Sequence, residues 1–270
     1  MTEASEQVRP GLPIGWTARA TFGSLWHNGP ALARAIILPA TLLLAGNLSS
    51  AWLESRAPFA GVLARLVGLL AFPIFAVRWH RLLLRGEAIA SPIPTLDRSI
   101  AVYGAWAGGF YLATSAYDHT YAHALAALAP ESSVFGRFVA YQTGFVALSI
   151  VLLRLSLALP AAALGESTAL RRIWGLGRGN TVALCVATLA VALLSALPFA
   201  PFVAMDVDAV EHVRRLWDSP SVSTRLLGYA LVMSTWCLAT AIEVGLTSHC
   251  YGFLATGSRV SPGRARDADS

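Results

Sequence analysis

The sequence predicts an all-α membrane protein, a polytopic bundle of six transmembrane helices with interfacial amphipathic helices. Three observations lead there. Of its 270 residues, 56% are hydrophobic and only 13% are charged, where a soluble domain carries about 25% charged residues. Mean hydropathy is +0.58. Six apolar stretches are each long enough to cross about 30 Å of hydrocarbon at roughly 1.5 Å per residue. Strands are excluded, because no stretch alternates with a period of two and an open sheet in lipid leaves its edges unpaired.

The first span runs from about Leu32 to Leu53 and is uncharged after Arg34. It follows some thirty largely polar residues, no cleavage site with proper flanks follows it, and Asn47 stands where a lipobox needs cysteine, so it is expected to stay as a helix. The second, about Phe59 to Trp79, is interrupted by Arg65. The third is about Ser99 to Asp118. The fourth starts near Phe138 and reaches Ala158 or beyond, with Arg154 inside it or at its end. The fifth, Thr181 to Ala204, has no charge in 24 positions. The sixth, about Leu226 to Leu254, contains Glu243. Residues 13–258 are expected to form one membrane domain. The tails 1–12 and 259–270 are polar and are expected to be disordered.

All 20 basic side chains are arginine. Codon usage of a GC-rich genome produces that bias, which points to a bacterial source. Fourteen of the arginines fall on one set of connecting segments and six on the other or in the outer part of span two. By the positive-inside rule both termini are expected in the cytoplasm, in a bacterial inner membrane. The scattered arginines do not form a nucleic-acid surface. Cys185, Cys237 and Cys250 are odd in number and lack CxxC spacing, so neither a disulfide framework nor a zinc site is expected.

A weak internal repeat is visible. Thr17–Leu32 precedes span one and Ala169–Leu184 precedes span five. Each reads as a short amphipathic helix, then Asn (Asn28, Asn180), then a membrane helix. The ends of spans two and six, RWHRLLLRG at Arg78–Gly86 and TSHCYGFLATG at Thr247–Gly257, also rhyme. Three helical hairpins are expected, each with an interfacial segment; convergent aromatic-belt chemistry is the competing explanation.

The pattern A-x-x-x-W-x-L-x-R-G-N around Ser167–Leu184, with the Pro-containing RLSLALPAAALGE (Arg154–Glu166) before it, resembles the YciC-type bacterial membrane proteins. It is also similar to the membrane portion attached to some glycerophosphodiester phosphodiesterases. The resemblance covers about one third of the chain firmly and the six-span layout loosely. It implies a fold and an inner-membrane location. It carries over no catalytic residue, because the phosphodiesterase chemistry sits in a separate soluble domain that this sequence lacks.

Arg154 and Glu243 are the most informative polar residues. Arg154 has 16 uncharged residues before it and 11 after; Glu243 has 17 before and 15 after. A charge at the bilayer centre costs about 2.5–3.5 kcal/mol on insertion scales and seeks a partner in the bundle interior. Both fall at a similar depth, so an Arg154–Glu243 pair is expected, with Arg65 and Arg78 as competing partners. It would serve as a coupling-ion or ligand site, or as a structural lock. Trp236, Thr240, Glu243, Thr247 and Cys250 keep one helix face, and Tyr111, Thr114, Ser115 and Asp118 make a companion stripe on span three. Gly104-x-x-x-Gly108 permits close helix packing.

Other motifs read as ordinary. His119 and His123 share a face if span three continues, and Asp206, Asp208, Glu211 and His212 lie on another outer loop, but no HExxH motif fixes a metal. His80 and His249 read as interface anchors. Gly175-x-Gly177-x-Gly179 lacks the P-loop Lys and the dinucleotide spacing. No cofactor is expected. The expected partners are the lipid bilayer and a second copy or other membrane proteins. The expected role is non-catalytic, in envelope or lipid homeostasis or as a scaffold. The alternative is a small-solute transporter or channel using Glu243 with Arg154. A membrane-embedded enzyme is a third reading, for which the sequence offers no nucleophile–base pair.

Overall fold

Pattern and propensity place helices throughout the chain, and the computed structural model bears this out. It describes residues 11–53, 56–57, 59–61, 63–64, 70–91, 93–128, 134–196 and 222–256. Among them every regular element is helical. In chain order these are α1 (Ile14–His27), α2 (Gly29–Leu53), α3 (Ala71–Arg85), α4 (Arg98–Leu128), α5 (Val134–Leu155), α6 (Ala158–Ala163), α7 (Leu170–Leu176), α8 (Thr181–Ala196) and α9 (Val222–Thr256).

The helix ends follow local chemistry. Proline has no N–H to give the carbonyl four residues back, and its ring crowds that carbonyl. Pro160 makes this demand on Ser156, and the chain breaks into a turn at Ser156–Leu157, between α5 and α6. Gly165, at φ +70°, ends α6. Its N–H and that of Glu166 return to the Ala162 and Ala161 carbonyls, the double bond that closes a helix through a left-handed glycine. Gly86, at φ +69°, ends α3 in the same way.

α3 is the hub. It packs against α2, α4, α6 and α9, and Phe75, Val77, Trp79, Leu82 and Leu83 are all buried. Gly104 of α4 lets Pro73 of α3 approach to 3.4 Å of its Cβ position, whereas Gly108 has open space around it. Half of the expected small-residue motif is therefore a packing contact. A second apolar cluster joins Leu12, α6, α7, α8 and α9 through Leu157, Ala161, Ile173, Leu184 and Tyr251. α9 belongs to both clusters.

Among the described residues two helical stretches, Gly29–Gly46 and Val139–Ala163, are long and apolar enough to cross a membrane. A third is obtained if α7 and α8, bent by 77° at their break, count as one span. The six spans expected are not supported. The physical reasons are local. α3 has 15 residues, about 22 Å at 1.5 Å per residue; the expected fifth span, Thr181 to Ala204, runs past α8 into 197–204, which lie outside the described residues. α4 has 31 residues, but its glycines, tyrosines and hydroxyls dilute its apolar character.

α1 also departs from expectation. It packs along the C-terminal part of α9, with Thr17, Thr21 and Ser24 fully buried. Each hydroxyl is spent on the helix itself, on the Pro13, Thr17 and Thr21 carbonyls. A small side chain with its proton used this way presents methyl groups and little bulk, and so permits close helix approach. Gly245 of α9 answers it, with Thr21 Cγ2 at 3.4 Å from its Cβ position. Trp26, at the far end, stands 87% exposed.

Candidate functional site

The two charges expected to pair are apart. α5 packs chiefly on α4, α7 and α8, whereas α9 packs on α1, α2, α3 and α8. Arg154 instead turns to α7. Its guanidinium lies 3.8 Å from the Trp174 ring centroid, and Nη2 donates to the Trp174 carbonyl at 3.0 Å. Glu243 is exposed on α9, within electrostatic reach of the Tyr103 phenol. The pairing fails because sequence depth says nothing about which helices are neighbours.

The α9 stripe has the right period and is slightly rotated. Thr240 and Cys250 are buried, but Glu243 is exposed and Thr247 leans outward. The face turned to α1 and α3 runs through Cys237, Ala241, Val244, Gly245 and Ser248. Small residues choose that face because they let helices close up. Trp236 carries no described side chain. Asp118 of α4 accepts a hydrogen bond from the Tyr141 hydroxyl of α5 at 2.8 Å. α4 does continue past Asp118, and the His119 and His123 rings stand 4.4 Å apart. Among the described residues no cluster of three metal-ligating side chains forms. Asp206, Asp208, Glu211, His212 and Arg65 lie outside the described residues.

The polar centre of the bundle is one that sequence reasoning missed. His80 and His249, expected as interface anchors, are fully buried. His80 Nδ1 lies 2.7 Å from Ser248 Oγ, and Ser248 donates its one proton to the Val244 carbonyl at 2.7 Å. His80 must therefore donate from Nδ1 and carry its lone pair on Nε2. That atom and the Trp79 indole N–H have no hydrogen-bond partner among the described residues, while the His249 ring lies within reach of the Ala20 backbone of α1. His249 meets the Trp16 ring edge-on at 5.8 Å, and His80 faces Tyr103 at 5.6 Å between centroids. The rhyme between Arg78–Gly86 and Thr247–Gly257 was the available signal, since α3 and α9 pack on each other and His80 meets Ser248 there.

Arginines gather at the α6 end of the bundle. Arg81 donates to the Ala163 carbonyl and to Asp97, and Arg85 to the Leu164 carbonyl, so α3 caps the carbonyl end of α6. Arg172 of α7 bonds Glu166 at 2.6 Å, and Tyr251 of α9 donates to the same carboxylate oxygen at 2.6 Å. Partial burial pushes the Glu166 carboxyl up, but the hydrogen bonds of Tyr251 and Arg172 and the charges of Arg172 and Arg85 outweigh it, and the net shift is downward. Asp97 shows the same balance: burial raises it, while Arg81 and the Ile100 and Ser99 amides bring it lower.

Both repeated joints exist. Asn28 separates α1 from α2 and Asn180 separates α7 from α8, and both are buried. The Leu12 amide donates to Asn180 Oδ1 at 2.8 Å, so the start of α1 is tied directly to the second joint. Comparison with family models, with curated proteins and with solved structures returned no match.

Proposed function

We propose that this chain is an integral protein of a bacterial cytoplasmic membrane that acts without catalysis, as a scaffold in envelope or lipid homeostasis, in the manner implied by its resemblance to the YciC-type proteins. In this reading both termini lie in the cytoplasm. The carrying observation is the bond between Leu12 and Asn180, which ties the start of α1 to the second helix–Asn–helix joint. Arg171 and Leu170 are exposed at the start of α7, and Arg19 and Trp26 are exposed along α1. Aromatic and basic side chains together suit the headgroup layer. Transport through a Glu243–Arg154 pair has less support, because Arg154 is held by Trp174 of α7 instead.

The test is native mass spectrometry of the protein released from nanodiscs, beside a Glu243→Gln variant. The expected result is bound phospholipid in both proteins. A defined non-lipid mass, present in the wild type and lost in the variant, would overturn the scaffold reading in favour of transport.

A further inference from the structure

We propose that Arg154 and α7 form a binding site for the phosphate headgroup of an anionic phospholipid. The inference deepens the membrane-scaffold reading and rests on it. Arg154 sits in the last turn of α5, within the apolar stretch Val139–Ala163 and just before the turn that breaks it at Ser156–Leu157. Three features of α7 and its following turn fix the side chain. The Trp174 ring lies against the guanidinium, the Trp174 carbonyl accepts from Nη2, and Gly177 leaves room for Nε, which lies 3.3 Å from the glycine's Cβ position. Nε itself is buried and has no hydrogen-bond partner among the described residues.

The charge is held in place yet left without a counter-ion. Arg81, Arg85 and Arg172 each have a carboxylate, on Asp97, Glu87 and Glu166. Among the described residues Arg154 has none. Arg171 of α7 and Arg178 of the following turn, which flank Trp174 in sequence, are exposed and have none among the described residues either. A cation at the end of a membrane-capable helix calls for an anion, because desolvation weakens its alternative partner, water. The abundant anion at that level is the lipid phosphate, and basic pockets between helices at the membrane edge hold such headgroups. Guanidinium donors match phosphate oxygens in pairs. From this joint α8 presents Val182 and Leu189, exposed on one face, as a track for the acyl chains.

The full chain is placed in nanodiscs of phosphatidylcholine containing a minor share of phosphatidylglycerol, and the lipids it retains are counted by native mass spectrometry. The wild type is expected to enrich phosphatidylglycerol about fivefold, the ratio that roughly one arginine contact at a membrane surface supplies. Arg154→Gln and Trp174→Leu are expected to bring the ratio close to one. Arg34→Gln, on α2, is expected to leave it unchanged. The exposed double variant Arg171→Gln/Arg178→Gln, which disturbs no packed surface, is expected to lower the enrichment and keeps the test valid if Arg154→Gln misfolds.

Equal retention of both lipids by the wild type, or enrichment unchanged in the arginine variants, would overturn the proposal. Loss of phosphatidylglycerol on adding millimolar inorganic phosphate would also overturn it, by showing a site for the free anion. None of these outcomes touches the scaffold reading, which fails on a non-lipid solute linked to Glu243.

Discussion

Asn28 and Asn180 stand at the same place in two copies of one sequence pattern, and the chain uses them differently. At the first joint Asn28 turns back on its own helix: its side chain and its backbone N–H both reach the Ser24 carbonyl. α1 is held by its length and by its hydroxyl face against Gly245. At the second joint Asn180 looks outward, and its amide oxygen accepts from Leu12 across the fold. α7 has 7 residues, too few to be stable alone, and a turn with Gly179 at φ +81° carries the chain round. One joint is secured by packing, the other by directional bonds. A shared local pattern specifies that a joint exists; tertiary partners decide what holds it.

The largest effect is expected where packing alone is at work. At Gly245 the nearest atoms to an added Cβ are Thr21 Cγ2 at 3.4 Å, Ser24 Oγ at 3.8 Å and Leu83 Cδ1 at 3.9 Å. Alanine therefore fits as an ordinary contact. Valine adds two methyl groups with no space to fill, and overpacking of this kind costs about 1–3 kcal/mol. Gly245→Val should melt at a clearly lower temperature in detergent while Gly245→Ala stays close to the wild type. Equal melting of all three would show that α1 does not lie close on α9.

The two asparagines give the next contrast. Asn180→Ala leaves the buried Leu12 amide without its acceptor, at about 1–3 kcal/mol. Asn28→Ala removes one donor from a carbonyl that keeps the Asn28 backbone N–H, so the loss should be about 0.5–1 kcal/mol. The pair is separated by chemical unfolding of the two variants side by side. A larger loss at Asn28 would reverse the assignment of roles.

How much of this was legible in the sequence differs between the joints and the core. The order helix, Asn, helix was readable at both joints, because the pattern is local and Asn interrupts apolar periodicity. The helical class was readable from composition. The partners were not. Glu243 drew attention because a charge in an apolar run is costly, yet Ala241, Gly245 and Ser248 set the buried face by being small. His80 and Ser248 are 168 positions apart, and only packing of α3 on α9 brings them together. Arg154 was recognised as informative for its charge, but its partner is the face of Trp174, and cation–π contact leaves no complementary charge to find in a sequence.

The smallest expected effect tests whether directional bonds hold only the second joint. Glu166 links Arg172 of α7 to Tyr251 of α9, whereas among the described residues α1 and α2 form no salt bridge. The Glu166 carboxyl is depressed in the folded protein. Its stabilising contribution is therefore fully present above the ordinary carboxylate value of about 4 and is lost as pH falls through the depressed native value. The group is partly exposed, so the contribution is modest. Amide exchange should rise across 170–176 as the pH is lowered below about 4, before it rises across 14–27. Glu166→Gln should show that greater exchange already at neutral pH, with little further change on acidification. If both segments lose protection together in the wild type, the carboxylate is not what holds α7, and the two joints share one mechanism.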